Sequence, residues 1–166
     1  NLDIIYIGQF EELKTRNLSA IYKDSSIFMT NDQESEEDIM DDIVHEVAHS
    51  IEEQYTDFIY SDGELKKEFI SKRKKLWLVL KDEGYEKELS YYLNAEYDRD
   101  FDEFLYLTVG YQIMNMVSST IFVSPYAATS LREYFANGFE HFFLKEKVNK
   151  IKQISPKLYE KLISLL

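Results

Sequence analysis

The chain has 166 residues, 45% of them hydrophobic and 30% charged, and its 31 acidic and 19 basic side chains give a formal net charge of −12. This apolar content is sufficient for a hydrophobic core, whereas the negative charge repels a phosphate backbone, so we expect a folded domain that does not bind nucleic acid. The lack of cysteine excludes disulfides, thiolate metal ligands and cysteine nucleophiles. No apolar run is long enough to predict a membrane span, so we expect a soluble protein, either secreted or cytoplasmic.

The first thirty residues predict a small β-sheet. Residues 3–10 are rich in Ile and Tyr and are typical of a strand, while Ala20–Lys23 and residues 27–30 predict a hairpin. Residues 31–42 follow with seven acidic side chains and no basic one. They fall in the first turns of a predicted helix, where negative charge interacts favourably with the helix dipole.

A change of periodicity at Ser35 predicts that helix. Ser35 is a typical N-cap residue with Asp38 three positions later, and apolar side chains then recur at every fourth position up to Ile51. The sequence therefore predicts an amphipathic helix that begins at Ser35.

The rest of the chain is predicted to be mostly helical. One helix is expected between Gly63 and Gly84, with the four basic residues 72–75 in its middle. Adjacent side chains on a helix point in different directions, so these residues cannot form one focused groove. We expect them to face solvent, and the alternative is a modest patch for an acidic partner. Further helices are expected over residues 85–117, 131–146 and 156–165. The predicted fold class is α+β, mostly helical, with one domain over residues 1–166.

The predicted first helix carries an HExxH motif, His45-Glu46-Val47-Ala48-His49. Residues four positions apart lie one turn apart on the same face, so both imidazoles can reach one metal ion. Glu46 lies beside this pair, where its carboxylate can take a proton from water. Because zinc proteases combine these features, the motif predicts one Zn²⁺ held by His45 and His49, with Glu46 as general base. The alternative is two histidines with a structural role on the helix.

A catalytic zinc site of this kind needs a third protein ligand. The metzincin pattern requires Gly at position 52 and His at position 55, and Glu52 and Tyr55 exclude it. The helix predicted from residue 131 is apolar on nearly every side, and a single polar stripe runs along it: Glu133, Asn137, Glu140 and His141. We predict Glu133 as the third ligand and Asn137 as an acceptor for the outer nitrogen of a ligand imidazole. His141 is the less favoured alternative ligand.

These residues resemble the family of the anthrax lethal factor catalytic domain and the related Pro-Pro endopeptidases. In that family a helix of the form EFFAEAF supplies the Glu ligand, and here residues 133–139 read Glu-Tyr-Phe-Ala-Asn-Gly-Phe. A family Tyr seven residues before that Glu points at the metal and stabilises the oxyanion, and Tyr126 stands at this spacing. The resemblance implies a zincin-like domain with a gluzincin site. It also implies an extended peptide substrate along an edge strand, which we assign to residues 27–30.

The resemblance covers residues 35–84 and 120–166. The spacing from His45 to Glu133 is 88 residues, which is longer than in the family. We interpret the extra residues, 85–117, as a helical insertion or lid.

The leading hypothesis is a zinc-dependent metalloendopeptidase in which Glu46 moves the proton of an attacking water to the leaving amine and Tyr126 steadies the oxyanion. The acidic residues 31–42 near the expected substrate edge favour basic substrate side chains. One alternative is a catalytically idle zincin that acts as a protein-binding or regulatory module. Another is a regulatory or phage-type zincin that cleaves one cytoplasmic protein.

Overall fold

A three-stranded sheet and a larger set of helices make up residues 2–166, the part of the chain that the computed structural model describes. This secondary structure confirms the predicted α+β class, in which helix predominates. The chain divides into two compact units, the first ending at Thr56 and the second spanning Asp57–Leu166. The single domain expected over residues 1–166 stays a prediction.

The first unit contains the sheet and the helix with the HExxH motif. Its elements are β1 (Ile4–Gly8), α1 (Glu11–Arg16), β2 (Ala20–Lys23), β3 (Ser26–Thr30) and α2 (Glu36–Gln54). The predicted hairpin is confirmed, because β2 and β3 pair antiparallel around Asp24 and Ser25, which both have positive φ angles of 50° and 57°. Such a turn matches the twist of the strands that it joins. The short helix α1 is a feature that the sequence did not predict.

The strand order is β1-β3-β2, with β1 parallel to β3. The central strand is therefore β3, and the prediction that residues 27–30 form an open edge is wrong. The hairpin pattern predicted the pairing with β2 but contained no information on the parallel pairing with β1, which uses the other side of β3. The two edges of this sheet are β1 and β2.

Helix α2 begins where its capping signal predicts. The Ser35 hydroxyl accepts a hydrogen bond from the Asp38 backbone N–H at 3.1 Å, which satisfies one of the free donors of the first turn. The helix contacts β2 and β3. Ile27 and Met29 of β3 are fully buried, and so is Ala48 of α2. The sheet and α2 thus share the core of the first unit.

The helices from residue 56 onward confirm most of the predicted pattern. They are α3 (Thr56–Tyr60), α4 (Glu64–Asp82), α5 (Leu89–Leu93), α6 (Arg99–Glu103), a π-helix (Phe104–Val109), α7 (Tyr111–Ser118), a 3₁₀ turn (Tyr126–Ala128), α8 (Leu131–Phe143), α9 (Val148–Ile154) and α10 (Pro156–Ser164). Residues 85–117 are helical in short pieces, and their role as an insertion or lid stays a prediction. Helices α3 and α9 were not predicted. Within residues 2–166, none of the helices combines the length and the apolar character that crossing a bilayer requires.

An aromatic cluster fixes α8 against α4 in the second unit. The rings of Phe69, Phe122 and Tyr134 are fully buried and pack with centroid distances of 5.4 to 6.2 Å. The Tyr134 hydroxyl donates to Glu68 at 2.8 Å, and Glu68 also accepts from the Leu158 backbone N–H at the start of α10. One carboxylate on α4 therefore holds both α8 and α10.

The prediction that residues 72–75 face solvent is wrong for two of the four. Lys74 and Lys75 are exposed, but Lys72 is only 5% exposed and Arg73 is completely buried. Neighbouring residues on a helix point in different directions, so part of any four-residue run faces the core of a helix packed on one side. The buried pair donates to backbone carbonyls, which replace the solvent that the charges have lost.

Candidate metal centre

Helix α2 presents two imidazoles one turn apart. The ring centroids of His45 and His49 are 5.1 Å apart, as the four-residue spacing predicts. His49 is buried and His45 is partly buried. The two side chains therefore lie on one face of α2, as the binding of one metal ion by both imidazoles would require.

A buried carboxylate orients one of these rings. Glu52 Oε2 lies 3.1 Å from His49 Nδ1, and the side chains are 6% and 10% exposed. Because a carboxylate only accepts, Nδ1 carries the proton and Nε2 is the nitrogen with a lone pair for a metal. The sequence pattern predicted no role for Glu52 beyond its disagreement with the metzincin motif. The signal was available, since residues three apart on a helix are neighbours.

Glu46 is fixed by the sheet of the same unit. Its Oε2 accepts a hydrogen bond from the Tyr22 backbone N–H at 2.5 Å, and the side chain is buried. Tyr22 lies on the edge strand β2, so this N–H is one that β3 does not use. A charge-assisted bond of this type gives the carboxylate a defined orientation beside the histidine pair.

Glu133 lies in the first turn of α8. The N-cap of this helix is Ser130, whose hydroxyl accepts from the Glu133 backbone N–H at 3.1 Å. The next three residues, 134–136, are fully buried and hold the turn in the core of the second unit. The capping bond therefore fixes the backbone of Glu133 at a helix start.

One ligand atom from each of His45, His49 and Glu133 lies within 4.8 Å of the other two. The group could therefore hold a metal ion. Two imidazole nitrogens and a carboxylate oxygen are borderline and hard donors that suit first-row divalent metals, zinc among them. The residues that the sequence predicted as metal ligands thus fit the ion by number and by chemistry.

Asn137 links two parts of the second unit. Its Nδ2 donates to the Glu133 carbonyl at 2.9 Å, and its Oδ1 accepts from the Ser124 hydroxyl at 2.6 Å. The same Ser124 oxygen accepts from the Ala127 backbone N–H in the 3₁₀ turn. Asn137 therefore connects the first turn of α8 with the turn that contains Tyr126. Its predicted bond to a ligand imidazole stays a prediction.

Tyr126 is the first residue of that 3₁₀ turn and is exposed. Its carbonyl accepts from both the backbone N–H and the hydroxyl of Thr129, at 3.0 and 2.9 Å. These bonds fix the backbone of Tyr126, and the catalytic role of its hydroxyl stays a prediction.

His141 takes part in a separate local network. Its Nδ1 lies 2.8 Å from Glu146 Oε2, and its Nε2 lies 2.9 Å from Lys147 Nζ. Both ring nitrogens are therefore engaged within its own part of the chain, and Glu133 rather than His141 joins the group that could hold a metal.

No family model, curated protein or solved structure matches this chain. The function is therefore inferred from the residues of the chain themselves.

Proposed function

We propose that this protein is a zinc-dependent metalloendopeptidase with a zincin-like fold, in which α2 is the active-site helix. The observation that carries the proposal is the grouping of His45, His49 and Glu133, whose ligand atoms lie within 4.8 Å of one another. This donor set is that of catalytic zinc sites, which keep one position open for water or substrate. The likeness of the two motifs to lethal factor-type peptidases supports the same assignment.

The chain supplies the groups that such a hydrolysis needs. Bound zinc supplies Lewis acidity toward the scissile carbonyl. Glu46, oriented by the Tyr22 N–H, accepts the proton of the attacking water and passes it to the leaving amine. The Tyr126 hydroxyl donates a hydrogen bond to the developing oxyanion.

The proposed substrate is a peptide in extended conformation. Strand β3 is central and cannot accept another strand, so we place the substrate along an edge of the sheet, either β1 or β2.

The experiment combines metal analysis with cleavage profiling. Wild type, Glu46→Gln, His45→Ala and the exposed-site control Glu83→Gln are purified with zinc and tested on a peptide library. We expect about one zinc per chain and cleavage for wild type and Glu83→Gln, and zinc without cleavage for Glu46→Gln. His45→Ala should lose the metal. A wild type that binds no zinc, or that cleaves no better than Glu46→Gln, contradicts the proposal.

The second candidate, a catalytically idle zincin that binds other proteins, is favoured by one specific observation. The edge strand β1 exposes four large apolar side chains: Ile4, Ile5, Tyr6 and Ile7. An apolar edge of this kind is suited to strand pairing with another chain. Zinc binding without any difference in cleavage between wild type and Glu46→Gln selects this candidate.

A further inference from the structure

The segment between α7 and α8, residues 119–130, contains Tyr126 and ends at Ser130, the N-cap of α8. Side chains from other elements bond to it at several points along its length. These bonds are Lys72 Nζ to the Ile121 carbonyl, Lys150 Nζ to the Val123 carbonyl, Ser124 Oγ to Asn137 Oδ1, and Arg73 Nη1 to the Thr129 carbonyl. The segment is thus held by neighbouring elements although it contains little regular structure of its own.

Arg73 holds the end of the segment next to α8. The side chain is completely buried, with Nη1 3.2 Å from the Thr129 carbonyl and Nη2 2.6 Å from the Tyr91 carbonyl. The guanidinium carbon lies 4.1 Å from the centre of the Phe101 ring, a cation–π distance. The planar fork of Arg reaches two acceptors at once, which the single ammonium of Lys cannot do in the same geometry. Arg73 therefore ties α5 to the residue that precedes the α8 cap.

Lys72, the adjacent residue on α4, holds the beginning of the segment. Its Nζ donates to the Ile121 carbonyl and, at 2.6 Å, to the Ile154 carbonyl at the end of α9. Burial lowers the pKa of Lys72 to about 8. Burying two adjacent charges costs free energy, and a solvated or apolar pair at these positions would avoid that cost. The hydrogen bonds of Lys72 and Arg73 fix the backbone on either side of Tyr126.

Three hydrogen bonds connect the Arg73 anchor to the proposed catalytic residues. Thr129, whose carbonyl Arg73 binds, donates from its N–H and its hydroxyl to the Tyr126 carbonyl. The next residue, Ser130, caps α8 by accepting from the Glu133 N–H. A shift of Thr129 would therefore displace the 3₁₀ turn of Tyr126 on one side and the first turn of α8 on the other.

We propose that Lys72 and Arg73 are positioning residues, which fix the two ends of segment 119–130 so that Tyr126 and Glu133 keep their places. This inference rests on the proposed function, because it assigns Tyr126 and Glu133 their roles there.

The test observes Tyr126 directly as well as through activity. 3-Fluorotyrosine is incorporated at position 126 of wild type, Arg73→Lys, Arg73→Met and the control Lys74→Met, which removes an adjacent but exposed charge. We expect the ¹⁹F resonance to move or split in both Arg73 variants and to stay unchanged in Lys74→Met. This readout does not require the protein to be a peptidase, so it is independent of the proposed function.

Enzyme kinetics then test whether Arg73 affects catalysis by positioning Tyr126. Arg73→Lys should lower kcat by about 10- to 100-fold, as small misplacements of catalytic groups do, with KM within about twofold. In a Tyr126→Phe background the same change should have little further effect on kcat, because the group that it positions is already gone.

A folded Arg73 variant with an unchanged ¹⁹F resonance overturns the inference. So does full additivity of Arg73→Lys and Tyr126→Phe in kcat. If neither Arg73 variant folds, Lys72→Met releases the other end of the segment and is judged by the same resonance. A wild type without peptidase activity counts against the proposed function alone, since the resonance still decides whether Arg73 positions Tyr126.

Discussion

Glu52 Oε2 lies 3.1 Å from His49 Nδ1, and both side chains are buried in the first unit. The pair belongs to one helix, where the three-residue spacing brings the carboxylate beside the ring. Carboxylates in this position fix the tautomer and the orientation of a histidine and make its other nitrogen a better metal ligand. The contact with Glu52 therefore holds the His49 ring in one orientation on α2.

Glu52→Gln should weaken zinc binding by about 10- to 100-fold, the usual effect of removing a carboxylate behind a ligand histidine. Competition with a chromophoric chelator measures the affinity. The control is Glu53→Gln, which makes the same chemical change at the exposed neighbouring position and should leave the affinity unchanged. Equal zinc affinity for wild type and Glu52→Gln would show that the bond does not tune the ligand.

The stability of the protein should depend on pH through Lys72. Burial lowers its pKa from 10.5 to about 8, so below pH 8 the folded state holds a buried charge at full cost. Between pH 8 and 10.5 the native side chain has lost its proton while the unfolded chain retains it, so stability rises with pH over this window. The gain ends above 10.5, where both states are neutral.

Urea denaturation of wild type and Lys72→Met across this window measures that effect. Between pH 8 and 10.5 the unfolding free energy of wild type should rise by about 2 to 3 kcal/mol relative to that of Lys72→Met. This size follows because one pKa unit corresponds to about 1.4 kcal/mol. Taking the difference cancels the titration of other groups. Lys74→Met, which removes an exposed charge, should show no such change, and a flat difference for Lys72→Met would contradict the assignment.

Gly138→Ala should destabilise the protein. A Cβ at this position of α8 would overlap the fully buried Leu158 of α10, lying 3.0 Å from its Cγ and closer still to Cδ2. We expect a loss of about 1 to 3 kcal/mol, as for other overpacked sites. In an open helix the same change stabilises by up to about 1 kcal/mol, so the sign of the effect is diagnostic. The control is Gly8→Ala, whose new methyl would meet nothing nearer than 3.7 Å.

Asn137→Asp should also destabilise, although the motif EFFAEAF of the family that the chain resembles has an acidic residue at this position. Asn137 Nδ2 donates to the Glu133 carbonyl, and a carboxylate has no hydrogen to give and would repel that oxygen. The side chain is buried, so we expect a loss of about 1 to 3 kcal/mol in thermal or urea unfolding. Wild-type stability together with tighter zinc binding in Asn137→Asp would instead favour a direct role toward the ligand histidines.

Sequence patterns predicted those parts of the fold that depend on near neighbours. The Ser35 cap is a contact over three residues, and the hairpin turn needs only two residues with positive φ. The helix that starts after Gly63 has the expected limits for the same reason. Helices α1, α3 and α9 are too short to show a clear apolar period, so the sequence did not predict them.

By itself, the sequence determined that His45 and His49 lie one turn apart and that Glu46 stands beside them, because the geometry of a helix fixes the relation of residues four apart. Tertiary structure alone decided that β3 is central and that Lys72 and Arg73 are buried while Lys74 and Lys75 are not. The polar stripe of its helix predicted Glu133 as the third ligand, but only the tertiary structure gives the distances at which Glu133 and the two histidines could hold one metal ion. These outcomes depend on which surfaces pack together across many residues of chain, and no local pattern contains that information.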